Sequence, residues 1–394
     1  MTTLFRHYTI NRLTTLLLAI LTIQTAVADN TRFSLLTCSP GEEVYELFGH
    51  TALRYTNEEK KQDVVFGYGY FSFDTPDFVW RFILGETDYL VGAVEYRDFI
   101  KEYEQRGAGV TEQVLQMDSL QKEALFDALI ANCHPQKRVY RYNYFYNNCT
   151  TKVRDKVLEQ FAGKNITFAN ATQEKTLRET IAGCTAGQPW TAFGINLLLG
   201  ADIDKPATRE TLQFLPANLM NDIAAAQADG KPIVSEQAEL LLPVDRTKRL
   251  NHFTPFNSAL LLLLFTMIIM LCEVRSHKLF WGYDILLMGL QGIAGVVLMF
   301  MALFSQHPAV DNNYLLILLN PIPLLLIPLL VRSAIKQKSF SFMWVQTAIP
   351  LLFIASAPFV PQCYPIPVFI FAITIAVRSL FHIYRLKICD LNIY

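Results

Sequence analysis

Five apolar segments in the C-terminal third of the chain restrict its fold more than any other feature. Each is long enough to cross the roughly 30 Å hydrocarbon core of a bilayer, and each carries almost no charged side chains. They cover residues 257–274, 279–304, 314–331, 342–360 and 366–383. The pattern predicts an all-α bundle of five transmembrane helices over residues 251–394.

The region before these segments is richer in charged residues. Of the 394 residues of the whole chain, 52% are hydrophobic and only 18% are charged, but charges are distributed throughout residues 29–250. That region reads as a soluble domain. The formal net charge of -1 gives no reason to expect a nucleic-acid partner, whereas the apolar segments make the membrane itself a partner.

The N-terminus has the order of a secretory signal peptide. Arg6 and Arg12 come first, the apolar stretch LTTLLLAILTI follows, and Ala26 and Ala28 occupy small-residue positions. We predict a signal peptide over residues 1–28, cleaved after Ala28. The alternative is an uncleaved anchor helix, but the apolar run is short for a membrane span.

The loops between the apolar segments give the orientation. The connections SQHPAVDNN and PQCYP carry no Lys or Arg, whereas basic residues follow the first and third segments and cluster at the end of the fifth. The positive-inside rule therefore places the C-terminus in the cytoplasm and residues 29–250 in the periplasm. The signal peptide requires the same side. We expect a multi-pass protein of the inner (cytoplasmic) membrane. The basic residues are Arg275, Lys278, Arg332, Lys336, Lys338, Arg378, Arg385 and Lys387.

Four of the seven cysteines lie in the periplasmic region: Cys38, Cys133, Cys149 and Cys184. An oxidising compartment would permit two disulfides, and the sequence leaves their pairing open. No CxxC motif and no histidine pair at ligand spacing is present, so we expect neither a metal nor another cofactor.

Cys149 stands out among these cysteines. In NYFYNNCTTKVRDKV, an extended aromatic run ends at Asn148, a good helix N-cap, and Cys149 would be the first helical residue. There the unpaired amides and the positive end of the helix dipole would stabilise a thiolate and could hold an oxyanion. We therefore predict that Cys149 is a nucleophile.

A thiolate nucleophile needs an imidazole partner. His252 is in the linker to the first apolar segment, and His134 precedes a proline in a turn. We favour His50, which follows Gly49 and opens a predicted strand.

A third polar group would orient the imidazole, and our candidate is Asp63, at the start of the next strand. Glu46 and Tyr68 are alternatives. Residues 160–250 receive no role from the sequence. Asp284 is expected near the cytoplasmic interface, and His307, Asp311 and Asn312 in a solvated periplasmic loop.

A histidine strand followed by a cysteine helix is the reverse of the papain order, which indicates a circularly permuted papain-like domain of the α+β class. The stretches LLTCSPGEEVYELFGHTALRY, DVVFGYGYFSFDTPDF, YRYNYFYNNCTTKVRD and SQHPAVDNNYLLILLNPIP resemble the Lnb family, the lipoprotein N-acyltransferases of Bacteroidota. The permuted order is also similar to that of the lecithin:retinol acyltransferase group.

The resemblance implies a thiol acyltransferase with Cys149 and His50 as catalytic residues. Its partners would be a phospholipid acyl donor and a diacylated lipoprotein acceptor. The acyl chain would pass through a cysteine thioester to the α-amino group of the lipoprotein's lipidated N-terminal cysteine.

Two other readings remain. One is a periplasmic cysteine amidase or peptidase of the permuted papain-like class that acts on cell-wall peptide. The other is a non-enzymatic membrane scaffold in which Cys149 is bridged to Cys133 or Cys184.

Overall fold

The structure, a computed structural model, describes residues 30–74, 76–171, 174–244, 253–336 and 338–391, with side chains described up to residue 385. The predicted signal peptide, His252 and the side chain of Lys387 lie outside the described residues. The predicted boundary between the two domains, at residues 250 and 251, also lies outside them and stays a prediction.

The described residues between 30 and 244 form a mixed α/β unit, here called the sheet domain. Its strands are β1 Thr31–Cys38, β2 His50–Asn57, β3 Gln62–Tyr70, β4 Asp88–Glu95, β5 Val110–Leu115, β6 Val139–Arg141, β7 Ile166–Phe168, β8 Ala226–Ala228, β9 Lys231–Pro232 and β10 Val234–Leu241. Its helices are α1 Phe78–Ile83, α2 Tyr96–Gln105, α3 Ser119–Cys133, α4 Cys149–Glu159, α5 Leu177–Thr185, α6 Pro189–Leu198, α7 Arg209–Leu212 and α8 Pro216–Ala225.

Seven strands form one antiparallel sheet in the order β10-β5-β1-β2-β3-β4-β6, and β7-β8-β9 form a small second sheet. The large sheet is covered on both faces, and its central strands direct apolar side chains to each face. Phe33, Leu35 and Leu53 belong to the main core, whereas Leu36 and Ala52 face a smaller core. Helices α3, α4 and α8 fill the main core, and α2 covers the other face.

Helix α4 begins where the sequence predicts. The side-chain oxygen of Asn148 accepts a hydrogen bond from the Thr151 amide, and the Thr151 hydroxyl accepts one from the Asn148 amide, each at 2.9 Å. This capping box satisfies two amides that the helix itself cannot. Val153 and Val157 then face the core. The preceding tyrosine run is extended only over β6, because the chain turns back on itself at Asn143 and Asn147.

Five helices long and apolar enough to span a membrane follow within the described residues, in agreement with the prediction. The spans are Pro255–Ser276, Trp281–Phe304, Tyr314–Ile335, Phe342–Phe359 and Ile366–Arg385. Their helices are α9 Pro255–Ser276, α10 Trp281–Phe304, α11 Ile322–Ile335, α12 Phe342–Ser356 and α13 Ile366–Leu391. The third span starts with a 3-10 turn, Tyr314–Ile317, because prolines follow at 321 and 323. An α+β domain followed by a five-helix bundle is therefore confirmed.

The loop after the second span holds the sheet domain against the bundle. Asp311 and Asn312 are exposed, as expected, whereas His307 is half-buried and contacts the domain. The Ser305 hydroxyl donates to the Ile83 carbonyl at 2.8 Å, and the Gln306 amide donates to the Leu84 carbonyl at 2.7 Å. The His307 imidazole lies 2.6 Å from the carbonyl oxygen of Phe82. These contacts fix the segment around α1 at the outer end of the bundle.

A second set of contacts joins the same loop to residues 197–202. The Asn313 amide donates to the Leu197 carbonyl at 2.7 Å, and the Asn312 amide donates to the Asp202 carboxylate at 2.8 Å. The Ala201 amide donates to the Asn312 carbonyl at 2.9 Å. Two separated attachments leave the sheet domain little freedom to tilt on the bundle. Residues 197–202, which belong to the segment 160–250 that had no predicted role, therefore help to position the sheet domain.

The bundle contains a buried ion-pair network that the sequence did not predict. The Arg378 guanidinium donates to both Asp284 oxygens, at 2.7 and 2.9 Å, and to both Glu273 oxygens, at 2.5 and 2.8 Å. His382 Nδ1 lies 3.0 Å from Asp284 Oδ2. All four side chains are buried. Asp284 lies in the first turn of α10, near the end of the span where it was expected, but its side chain is buried inside the bundle. The network ties α9, α10 and α13 together.

Replacing Arg378 should destabilise the bundle much more than replacing an exposed arginine. Arg378→Met leaves Glu273 and Asp284 buried without their cation, a change that typically costs about 3–5 kcal/mol. Arg332→Met is the matched control, because Arg332 is exposed near the end of α11. The free energy of unfolding of the purified full-length protein, measured by denaturant titration in detergent, should fall only for Arg378→Met. Equal stability of the two variants would contradict this account of the network.

Candidate active site

The structure brings Cys149 and His50 together at the place where α4 meets β2. His50 is the first residue of β2, and Cys149 is the first residue of α4. The next residue of each element makes a direct contact, because the hydroxyls of Thr51 and Thr150 share a buried hydrogen bond of 3.2 Å. This contact fixes the start of the helix against the start of the strand. The imidazole and the thiol consequently become neighbours, close enough for a hydrogen bond and for charge interaction.

The Asn148 side chain anchors the helix start on its other side. Its amide nitrogen donates to the carbonyl oxygens of Tyr144 and Phe214, each at 2.9 Å. With the Thr151 amide at its oxygen, the buried side chain is held by three hydrogen bonds. The residues around Phe214 therefore act on the site by fixing the position of the cap.

The surroundings of Cys149 favour its thiolate at neutral pH. Burial by itself raises the pKa of this thiol, since it disfavours the charged form. The positive charge of His50 and hydrogen bonds from His50, from the Thr51 amide and from the Thr150 hydroxyl act in the opposite direction. The result lowers the pKa of Cys149 from 9.0 to about 7. At neutral pH a large fraction of Cys149 is then a thiolate.

The same helix start offers donors for an oxyanion. The first amides of a helix have no intrahelical acceptor, and here the third helical residue, Thr151, is satisfied by the cap. The amides of Cys149 and Thr150 remain at the positive end of the helix dipole, beside the sulfur. Negative charge that develops on a carbonyl oxygen attacked by Cys149 would be stabilised there.

Two glycines let the backbone approach this site closely. Gly69 has a φ of +94°, and a Cβ atom there would lie 3.5 Å from the Cβ of Cys149. Gly49 has a φ of +77°, and a Cβ atom there would lie only 2.6 Å from the Cys38 carbonyl oxygen. Both backbone conformations are poorly accessible to other residues. Gly49 directly precedes His50, and Gly69 lies near the end of β3, beside Cys149.

Asp63 does not lie beside His50, which corrects the predicted third member of the site. It pairs in register with Thr56, six residues further along β2 from His50, which corresponds to about 20 Å. Its carboxylate accepts hydrogen bonds from Arg54 Nε and Nη2, at 2.8 and 2.7 Å. The cause is hairpin geometry, because the first residues of β3 face the last residues of β2.

The two alternative orienting groups are also engaged elsewhere. The Glu46 carboxylate accepts a hydrogen bond from Arg106 at 2.9 Å, and the Tyr68 hydroxyl accepts one from Asn132 at 2.8 Å. Among the described residues, none other than Cys149 is a side-chain hydrogen-bond partner of His50. The arrangement is therefore a cysteine–histidine pair. His134 is exposed at the end of α3.

The other periplasmic cysteines have different environments. The described cysteines, Cys38, Cys133, Cys149, Cys184, Cys272 and Cys363, are all free thiols. Burial raises the pKa of Cys38 far above its ordinary value, although Cys38 is the register partner of His50 in the sheet. Burial also raises the pKa of Cys133 and of Cys184. Of Cys38, Cys133, Cys149 and Cys184, only Cys149 has a lowered pKa. The described residues contain no group of three or more His, Cys, Asp or Glu side chains that could hold a metal ion.

The pH dependence of alkylation should report the influence of His50 on the sulfur. Because the thiolate is the reactive form, the rate of Cys149 alkylation by iodoacetamide should rise with pH to a midpoint at about 7. His50→Ala removes the charge and the hydrogen bond, so the midpoint should move up toward the ordinary cysteine range, about 8.5. Peptide mass spectrometry of the full-length protein over a pH series measures each cysteine separately.

Asp63→Asn is the control for this measurement. Because Asp63 pairs with Arg54 at the other end of the hairpin, the midpoint for Cys149 should stay at about 7. A shift as large as that of His50→Ala would restore Asp63 as an orienting residue. An unchanged midpoint in His50→Ala would show that the imidazole does not act on the thiol.

Comparison with known protein families agrees with both parts of this architecture. The family model of the Lnb N-terminal periplasmic domain matches residues 22–182, and that of the Lnb transmembrane domain matches residues 246–388. The first match includes His50 and Cys149, and the second includes the five spans. No curated protein and no solved structure matches the chain. The protein is thus a multi-pass membrane protein with a periplasmic domain, and it belongs to the Lnb family.

Proposed function

We propose that this protein is a lipoprotein N-acyltransferase of the inner membrane. It moves an acyl chain from a membrane phospholipid, through a thioester on Cys149, to the α-amino group of a lipoprotein's lipidated N-terminal cysteine. One observation carries the proposal. Cys149 has a pKa of about 7 beside His50, in a domain attached to the outer end of a five-span bundle.

In the first half of the reaction, the Cys149 thiolate attacks the ester carbonyl carbon of the phospholipid. The carbonyl oxygen becomes an oxyanion, held by the amides of Cys149 and Thr150. As the tetrahedral intermediate collapses, the carbon–oxygen ester bond breaks. The imidazolium of His50 gives its proton to the departing alkoxide, so that a lysophospholipid leaves and an acyl thioester remains.

In the second half, the amine of the lipoprotein attacks the thioester carbonyl. His50 is now neutral and takes a proton from the attacking nitrogen. The carbon–sulfur bond breaks, an amide forms, and Cys149 returns as a thiolate beside the imidazolium. No net proton is consumed over the two halves, and one group serves first as acid and then as base.

The attachment of the sheet domain to the bundle supports the proposal that the substrates are lipids. Both proposed substrates carry acyl chains that stay in a bilayer. The contacts of Ser305 and Gln306 with the α1 segment, and of Asn313 with α6, hold the domain at the outer end of the spans. A cell-wall amidase or peptidase would have little use for such a fixed position. A scaffold bridged through Cys149 would not need a thiol with a lowered pKa.

Removal of either member of the pair should abolish transfer. We expect Cys149→Ala and His50→Ala to lower the rate by about a thousandfold or more, because a nucleophile and its base act as a unit. The assay mixes the purified full-length protein with a phospholipid labelled in its acyl chain and a diacylated lipopeptide. In the absence of the lipopeptide, the wild type should acquire a hydroxylamine-labile label that Cys149→Ala lacks.

The matched control is Cys133→Ala, which removes a free thiol outside the pair and should retain transfer. Full transfer by Cys149→Ala would contradict the proposal. Release of peptide from cell-wall fragments by the wild type, without acyl transfer, would favour the amidase instead.

A further inference from the structure

The sheet domain exposes a group of large apolar side chains next to the bundle. We call this group the aromatic patch. Its members are all exposed, and they come from the turn before β2, from the segment after β3 and from α1. They are Val44, Tyr45, Phe73, Val79, Trp80 and Phe82. Large contiguous apolar patches on soluble surfaces mark contact with lipid, ligand or protein.

Behind the patch, four aromatic rings form a nearly parallel stack, here called the aromatic row. The ring centroids of Tyr142 and Tyr89 are 4.1 Å apart, and those of Tyr89 and Phe71 are 5.0 Å apart. The next step, from Phe71 to Phe78, is 5.4 Å. Phe73 packs edge-on against Phe71 at 5.0 Å and is 63% exposed, so the row is continuous with the patch.

The inner end of the aromatic row lies at the nucleophile. Tyr142 is seven residues before Cys149, the first residue of α4, and stacks on Tyr89. Tyr89 is the register partner of Tyr140 in the sheet, so their side chains lie on the same face. A Cβ atom at Gly69 would lie 3.5 Å from the Cys149 Cβ and 3.9 Å from the Tyr140 hydroxyl, so Tyr140 and Cys149 border the same glycine. The negative charge of Cys149 also contributes to the raised pKa of Tyr89 and of Tyr142, after burial.

The outer end of the row lies at the edge of the bundle. Phe78 stacks with Phe82 at 6.3 Å, and Phe82 packs against the His307 ring at 5.5 Å. Trp80 packs against Phe300 at 5.3 Å, four residues before the second span ends. The apolar rings therefore extend without interruption from the outer end of a membrane span to the site.

We propose that the aromatic row and the exposed rings beside it form the wall along which the acyl chain of the phospholipid donor reaches Cys149. The inference rests on the proposed function and assigns a binding surface to it. The occupant is a hydrocarbon chain because the wall is made of apolar rings. Two cations beside the row are already paired, because Arg81 and Arg141 both donate to the Asp88 carboxylate, at 2.7 and 2.8 Å.

The surface is assigned to the donor rather than to the lipoprotein because its inner end is at the sulfur. A chain that becomes a thioester must place its carbonyl carbon at Cys149. The chains already attached to the lipoprotein stay at the acceptor's own cysteine. The first half-reaction, measured without acceptor, therefore tests the assignment directly.

The experiment compares two acyl donors on the purified full-length protein in the absence of lipopeptide. One donor is a long-chain phospholipid in mixed micelles, and the other is a short-chain, water-soluble ester. The variants are Phe71→Ala in the row and Phe73→Ala beside it. We expect the rate of Cys149 acylation by the phospholipid to fall at least about tenfold, equal to about 1.4 kcal/mol, and that by the short ester to stay within about twofold.

Phe359→Ala is the matched control. Phe359 is 87% exposed at the outer end of the fourth span, so its removal should change neither rate. An equal loss of rate with both donors in Phe71→Ala would show that the substitution disturbs the site itself. In that case the test rests on Phe73→Ala, because its ring is exposed: a loss with the phospholipid only supports the inference, and an unchanged phospholipid rate overturns it.

Unchanged phospholipid rates in both Phe71→Ala and Phe73→Ala, with an active wild type, would overturn the inference and leave the proposed function in place. If the variants acylate Cys149 normally but lose activity in the transfer assay that contains the lipopeptide, the assignment of the surface to the donor is overturned. A wild type that reacts with the short ester but with no phospholipid would overturn the proposed function and the inference with it.

Discussion

The candidate site depends on the way one asparagine holds the start of α4. Asn148 caps the helix and also donates to the carbonyls of Tyr144 and Phe214, so three parts of the chain meet at one buried side chain. The hydrogen bond between Thr51 and Thr150 then sets the helix against β2. Without these contacts the dipole of the helix would still act on its first residue. The imidazole, however, would have no fixed position beside the sulfur, and the lowered pKa depends on both.

The sequence predicts this pair because its signals are local. An N-cap followed by Cys149, and a glycine followed by His50 at a strand start, can be recognised within a few residues. Asp63 was predicted wrongly because adjacency of two strands was taken as adjacency of their first residues. In a hairpin the first residues of β3 face the last residues of β2, so the residue near His50 comes from the end of β3. Gly69, which approaches Cys149, comes from that end.

In the membrane part too, features set by neighbouring residues can be predicted, whereas contacts between residues far apart in the chain cannot. Hydropathy and length predict the five spans to within a few residues. They contain no information on which polar side chains meet inside the bundle. Arg378 and Glu273 are 105 residues apart in the chain and form a buried pair with Asp284. The contacts of the loop at 305–313 with the sheet domain are of this distant kind too, and a polar loop sequence alone favours solvent.

On the proposed function, an acyl chain travels from the bilayer to the sulfur of Cys149, and an apolar surface outside the membrane would lower the cost of that step. Moving an acyl chain from lipid into water costs about 0.8 kcal/mol for each methylene, so about twelve exposed methylenes would cost about 10 kcal/mol. A site raised above the bilayer on a polar surface would add that amount to the barrier of acylation. The rings from Trp80 to Tyr142 offer the chain an apolar surface instead. The two attachments to the bundle keep that surface aligned with the outer end of the second span. The proposed reaction at Cys149 therefore depends on the position of the domain as well as on the thiol.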